Sequence, residues 1–273
     1  MRLGGSIRRV CVIGSGIAGL GAAACLKQLS VDGDGKLEEV VVFESRENFL
    51  QAKLGGGIQL SGGSAVLERI GCLPDLVKSA EVMHTVLSRN SNGDELIKLD
   101  VDRLIRERAP KELCADGGKG DPMIYTIMRD ALLSILYNAT TELKSSKSSN
   151  TNSCNVVIKN NKRAISVTED SKTDKLTVQF ADGSKEEDFD LVIGADGISS
   201  TVKNFTAYGD ETVLSFLPPL PIPSQPATPL ESTLNDDSKK PVDSKYTGIR
   251  ITYCVTPPSS ADLDSSSLRT GAL

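Results

Sequence analysis

The feature that most constrains this chain is the stretch RRVCVIGSGIAGLGAAACLKQL, residues 8–29. It joins an apolar run to three glycines, Gly14, Gly16 and Gly19, and then to a segment rich in alanine. The run at residues 10–13, ending in glycine, predicts a strand buried on both faces, as in a parallel sheet. Residues 17–30 have helix-forming composition. Each glycine has a task in a nucleotide-binding turn. Gly14 permits the tight turn off the strand, Gly16 lets the backbone approach a pyrophosphate with no Cβ between them, and Gly19 brings the helix close to the strand. The helix start, with Ile17 and Ala18 leading to Gly19, offers first-turn N–H groups and a positive dipole end to phosphates. The plainer alternative is a structural strand–turn–helix with no ligand.

The next strand weighs against that alternative. VVVF, residues 40–43, reads as a second buried strand, and it ends in Glu44, followed by Ser45. Glu44 stands 25 residues after Gly19, against a usual spacing of about 20; the polar insertion VDGDGK accounts for the excess. A carboxylate there accepts hydrogen bonds from ribose hydroxyls and repels a 2′-phosphate. The pattern therefore points to an adenine dinucleotide, NAD or FAD, rather than NADP.

Composition excludes several classes. A net charge of −5 with no basic block argues against nucleic-acid binding, which needs clustered Lys and Arg. Six scattered cysteines with no CxxC pair read as thiols of a reducing compartment, Cys11 and Cys25 as small core residues. His84 is the one histidine, so a histidine-rich metal site is excluded; His84 itself reads as an ordinary polar residue in a strand or turn, with a substrate contact as the alternative. No run of about 18 apolar residues predicts a transmembrane segment. The short stretch before the first strand leaves no room for a leader, so the expectation is either a cytoplasmic location or a chain that lacks its native start.

Further along, residues 61–70 predict a short helix with Ser61 available as its cap and Gly71 as its stop. Residues 82–101 read as a strand pair turned at NSNGD, and residues 115–121 as a glycine-rich loop. Residues 129–143 predict a helix with Leu132, Ile135, Leu136, Ala139 and Leu143 on one face. KSSKSSNTNS, residues 144–153, is of low complexity. Residues 156–158, 164–168 and 176–180 predict a meander of strands with a hairpin at ADGS. Residues 191–193 form another buried strand entering GADGISS. Residues 218–245 have the composition of a disordered insert, residues 245–256 return to strand patterning, and a polar tail closes the chain.

DLVIGADGISSTVK, residues 190–203, resembles the IGADG signature of flavoprotein monooxygenases of the p-hydroxybenzoate and salicylate hydroxylase type, a group that includes kynurenine monooxygenase and zeaxanthin epoxidase. Two more stretches carry the resemblance. GGGIQLSGGSAVLERIG, residues 55–71, is similar to the family's G-x-G-I-x-L segment, although Gly62 and Gly63 stand where the family has Pro-Asn. IMRDALLSIL places Arg129 as the family's helix-start arginine.

The resemblance spans residues 8–256 and implies an α/β fold: a Rossmann-like FAD-binding domain with a second, incomplete β-sheet substrate domain. The FAD-binding domain is expected at 1–81 and 122–204. Substrate-domain parts are expected at 82–121 and 205–256, with the insert at 218–245 and a tail at 257–273. It implies that Asp196 and Gly197 lie near the FAD pyrophosphate and the path of NADH or NADPH, that Gly57 passes the flavin ring and that Arg129 reaches FAD. The family's later Gly-Asp motif has no match after Lys203, since the Gly-Asp of YGDE comes too early; the expectation is a truncated chain. The implied activity is FAD-dependent monooxygenation of a small aromatic or polyene substrate. A FAD-dependent reductase of the same fold and an inactive FAD-binding module stay open beside it. No metal, no catalytic side chain and no oligomeric state are assigned.

Overall fold

The computed structural model describes residues 6–32, 36–50, 56–108, 110, 123–141, 154–198 and 200–208. The sequence readings of residues 115–121, 144–153, 218–245, 245–256 and the tail lie outside them, as do Gly55 and the Gly-Asp of YGDE.

Four strands, β1 (Arg9–Ile13), β2 (Glu39–Phe43), β8 (Asn155–Lys159) and β12 (Leu191–Gly194), form a parallel sheet in the order β12-β1-β2-β8. Val10, Cys11, Val12 and the VVV of β2 are essentially inaccessible to water, because both faces of this sheet are covered. On one face, Val10, Val12, Val40 and Val42 pack with Ala23 of helix α1 (Ile17–Asp32). On the other, Cys11, Ile13, Val41 and Phe43 pack on an antiparallel three-stranded sheet of β9 (Ala164–Asp170), β10 (Lys175–Phe180) and β11 (Lys185–Phe189). The side-chain alternation of a strand sends even positions to the helix and odd positions to the second sheet. Phe43 joins the two layers, its ring 4.6 Å from Phe180 and 6.2 Å, edge-on, from Phe189.

The second core lies on the far side of α1. Helix α5 (Arg129–Thr141) packs against α1, with Leu20 beside Leu132, Leu133 and Leu136. Thr140 Oγ1 donates to the Leu136 carbonyl of its own helix at 2.7 Å and lies 3.3 Å from the Leu20 carbonyl, and Lys27 Nζ donates to the Thr140 carbonyl at 2.8 Å. A small antiparallel sheet, β3 (Gly57–Leu60), β7 (Tyr125–Met128) and β4 (Ala80–Val82), closes this layer. Between β4 and β7 the chain makes an excursion through the hairpin β5 (Thr85–Arg89) and β6 (Glu95–Asp100) and helix α4 (Val101–Arg108).

Two expectations need correction. Residues 156–158 are no part of the meander: β8 pairs in parallel with β2, because Val156 and Ile158 contribute to the core under α1. Helix α2 (Gly63–Arg69) begins after Ser61, with Gly62 at its cap position and no side-chain cap; the Ser61 hydroxyl instead accepts from Gln59 Nε2 at 3.0 Å. Helix α3 (Leu73–Ser79) and α4 fall almost wholly in stretches to which the sequence reading assigned no element. Pro74 near the start of α3 was the available signal, as proline is favoured in a first helical turn.

Candidate functional site

The parallel sheet puts the carboxyl ends of its strands on one edge, and the chain order reverses there. From β1 it proceeds outward through β2 to β8, while β12 returns to the opposite side of β1. Such a switch point leaves a crevice beyond the strand ends, where ligands of open α/β sheets bind. Two turns meet in it. Ala195 N–H donates to the Ile13 carbonyl at 2.8 Å, and Gly14 N–H donates to the Phe43 carbonyl at 2.8 Å. The ends of β1, β2 and β12 are thereby tied together.

The three glycines of the turn meet different surroundings. Gly14 has φ +101°, and a Cβ there would run into the Ala195 carbonyl. A Cβ on Gly19 would collide with the Gly14 carbonyl oxygen, so the helix sits on the turn as close as backbone allows. A Cβ on Gly16 meets nothing within 4 Å. Packing explains Gly14 and Gly19; it does not explain Gly16, which borders open space at the start of α1. The helix ladder begins with Leu20 N–H on the Gly16 carbonyl at 2.9 Å, so the amides of Ile17, Ala18 and Gly19 have no acceptor within the helix. They stand at the positive end of the helix dipole.

Glu44 lies at the tip of β2, nine-tenths buried. Its Oε2 accepts from the Ser15 amide at 3.0 Å and the Ser15 hydroxyl at 2.6 Å. Its Oε1 accepts from the Arg46 amide at 2.9 Å and the Ser45 hydroxyl at 3.1 Å. Burial opposes ionisation, and these hydrogen bonds more than offset it: the carboxyl is held below the ordinary carboxylate range. Glu44 is therefore an ionised acceptor beside Gly14–Gly16.

Asp196 sits in the other turn. Its Oδ2 accepts from the Thr201 amide at 2.6 Å, capping helix α6 (Thr201–Tyr208). Its Oδ1 is buried and has no hydrogen-bond partner. A buried acceptor without a donor is costly. Next to it, Gly197 has φ +84° and open space where a side chain would be, and Ile198 is 78% exposed.

The sequence-predicted residues thus fall into two groups. Gly14, Gly16, Ile17, Ala18, Gly19, Glu44, Ser45, Asp196 and Gly197 share the sheet edge. Gly57 and Arg129 form a second cluster: Gly57 pairs with Met128, and the Arg129 amide donates to the Gly56 carbonyl at 3.1 Å. That cluster connects to the first through the packing of α5 on α1. Ser15 is the site residue that sequence reasoning missed. Its signal was its place between Gly14 and Gly16, but only the fold shows its reach to Glu44. His84 stands between β4 and β5 and pairs through Nδ1 with Asp102 of α4 at 2.8 Å, apart from both clusters.

No family model matches the chain. Among curated proteins, it is 31% identical over 204 residues to the 3-amino-4-hydroxybenzoate 2-monooxygenase PtnB3 of Streptomyces platensis, covering 74% of this chain and 42% of that protein. It is 28% identical over 198 residues to the FAD-dependent monooxygenase verC1 of Penicillium polonicum, covering 72% of this chain and 20% of that one. Among solved structures, a variant of 2-methyl-3-hydroxypyridine-5-carboxylic acid oxygenase aligns with TM-score 0.50 at 26% identity, over 71% of this chain and 41% of the other. The p-nitrophenol 4-monooxygenase PnpA of Pseudomonas putida, at 24% identity and TM-score 0.51, shares the fold over 72% of this chain and 42% of its own. The chain is homologous to FAD-dependent monooxygenases and has their Rossmann-like α/β fold. It spans about two fifths of the length of the first curated relatives it matches.

Proposed function

We infer that this chain forms the adenine-nucleotide-binding part of a FAD-dependent monooxygenase. Such an oxidoreductase uses O₂ and NADH or NADPH to place one oxygen atom on a small organic substrate. The observation that carries the reading is a convergence at one sheet edge. Gly16 with open space beside it, the ionised carboxylate of Glu44 and Asp196, whose buried Oδ1 has no partner, all lie in or next to the turns that end β1, β2 and β12.

These residues fit FAD. Gly14 and Gly19 fix the turn, and the first-turn amides of Ile17, Ala18 and Gly19 would hold the diphosphate. Glu44, with Ser45 beside it, would accept from ribose hydroxyls, while Asp196 Oδ1 would gain the donor it lacks from a cofactor hydroxyl and Gly197 leave room for the approach. Gly57 and Arg129 would serve the flavin end, where a guanidinium favours negative charge. The flavin, when bound, supplies the redox chemistry with the nicotinamide and O₂. The chain's own part is to bind, orient and shield it, and the reading gives no described side chain an acid–base task.

The named substrate of PtnB3, an aromatic acid, supports an aromatic substrate here. The excursion through β5, β6 and α4 is read as the start of the substrate domain. Among the described residues no helix is long and apolar enough to cross a membrane. A cytoplasmic location is part of the proposal; it is supported by Cys11 and Cys25, free thiols whose pKa burial raises.

FAD titration of the purified chain tests the reading. Bound flavin, or a rise in Tm on adding FAD, is expected; at a hundredfold excess over Kd the stabilisation is about 2.7 kcal/mol, on the order of 5–10 °C. No bound flavin and no shift at saturating FAD would overturn it. Incorporation of label from ¹⁸O₂ into product separates a monooxygenase from a reductase of the same fold.

A further inference from the structure

We propose that Ser15 is a positioning residue: it locks one oxygen of the Glu44 carboxylate into the glycine turn, so that Glu44 meets the ribose through the other oxygen alone. The inference rests on the FAD reading above and names the part of that site which sets how the ribose is held.

A carboxylate has about four lone-pair positions, and Glu44 fills four in the free protein, two on each oxygen. A ribose hydroxyl must therefore displace a donor, and the four donors are not equivalent. Ser15 is completely buried, and both its amide and its hydroxyl point at Oε2. Displacing either would strand a buried donor, at the full cost of its desolvation. On Oε1 the Arg46 amide is fixed by the chain. Ser45, by contrast, is exposed, and its hydroxyl is a rotor that turns to water without loss. The exchange therefore takes place at Oε1, a ligand hydroxyl replacing Ser45 Oγ. The grip of Ser15 on Oε2 keeps the carboxylate from rotating away.

Ser15 also keeps Glu44 charged. The groups that lower its pKa are hydroxyls and backbone amides, from Ser15, Ser45 and Arg46. Of the charged residues around it, Arg46 meets Glu44 through its amide, Lys159 through its carbonyl and Lys162 through its amide. Protonated Glu44 would have a donor facing the Ser15 or Arg46 donors, so FAD affinity falls as pH drops through the Glu44 pKa. Loss of the Ser15 hydroxyl raises that pKa and moves the fall to higher pH.

The test is a pH series of FAD titrations on the wild type, Ser15→Ala, Ser15→Cys, Glu44→Gln and the double variant Ser15→Ala/Glu44→Gln. The expected result has four parts. Ser15→Ala weakens FAD about tenfold and shifts the acid limb of affinity upward in pH. Ser15→Cys, which keeps the volume and a weak donor, lies between it and the wild type. In the Glu44→Gln background Ser15→Ala has little further effect, because the two residues act as one unit. Tm of the flavin-free variants shows that each is folded. Equal affinity and an unchanged acid limb in Ser15→Ala would overturn the proposal, as would full additivity in the double variant. Absence of FAD binding by the wild type would instead overturn the reading on which it rests.

Discussion

The glycine edge and the β5–β6 hairpin are built on opposite terms. At the edge, strands β1 and β2 are buried on both faces, Glu44 is packed with four donors, and a single added Cβ at Gly14 or Gly19 would strike backbone. In the hairpin, all six residues of β6 are exposed, including Leu96 at 61% and Ile97 at 54%. An open groove of about 420 Å³, lined by Val86, Leu99, Leu104 and Ile105, runs beside it. The difference shows where each region's determinants lie. The edge is shaped by turns and side chains that hold one another within the described residues. The hairpin offers apolar side chains without a local partner among the described elements beyond α4, so its packing is a question of what else it meets.

The largest test of this contrast is in the core that supports the edge. Phe180→Ala removes a fully buried ring packed at a tilt against Phe43 and is expected to cost about 3–5 kcal/mol, measured by denaturant unfolding. A loss below about 1 kcal/mol would mean that the second sheet does not carry the edge. Next come the two glycines with opposite surroundings. Gly19→Ala is expected to lower stability by about 3 kcal/mol, visible as a fall in Tm of the flavin-free chain. Gly16→Ala is expected to leave that Tm within about 2 °C yet weaken FAD at least tenfold, because its methyl group enters the space given to the diphosphate. Equal effects of the two substitutions on Tm would break the distinction.

A smaller effect follows from charge. Glu44 and Asp190 are both held below the ordinary carboxylate range: burial opposes this, and hydrogen bonds outweigh it, from Ser15 and Arg46 in the first case and from Lys175 and the Arg8 and Arg9 amides in the second. A group with a depressed folded pKa stabilises above its unfolded value, near 4, and that contribution is lost as pH falls through the folded one. Stability should therefore decline below about pH 4, and Glu44→Gln should make the acid limb shallower. An identical limb in that variant would remove Glu44 from the account. The smallest effect is expected at the hairpin, where Leu96→Ser should change stability by no more than about 0.5 kcal/mol. A loss above about 1 kcal/mol would show that this face is covered by chain beyond the described residues.

Much of the edge was legible in the sequence. Gly14, Gly16, Gly19 and Glu44 are readable because a strand–turn–helix–strand unit fixes their relative places by backbone alone. The resemblance implied that Asp196 lies near the pyrophosphate, but the pairing of β12 with β1 that brings it to this edge was not legible, since no local pattern announces a strand partner 181 residues away. Ser15 was hidden because its task depends on a side chain 29 residues later in sequence. The place of β8 was misread because a short apolar strand looks alike in a meander and in a parallel sheet; burial under α1 decided it. Helices α3 and α4 escaped notice for another reason. Each is short, and α3 follows α2 with three residues, Ile70, Gly71 and Cys72, between them, so periodicity has little length in which to register.

The measurement that bears most directly on the whole account is the comparison of FAD affinity and flavin-free Tm for the wild type and Gly16→Ala. The wild type is expected to bind FAD, and the variant to unfold at the same temperature but bind it at least tenfold more weakly. A variant with wild-type FAD affinity would contradict this, because the open space beside Gly16 would then not be where the cofactor lies.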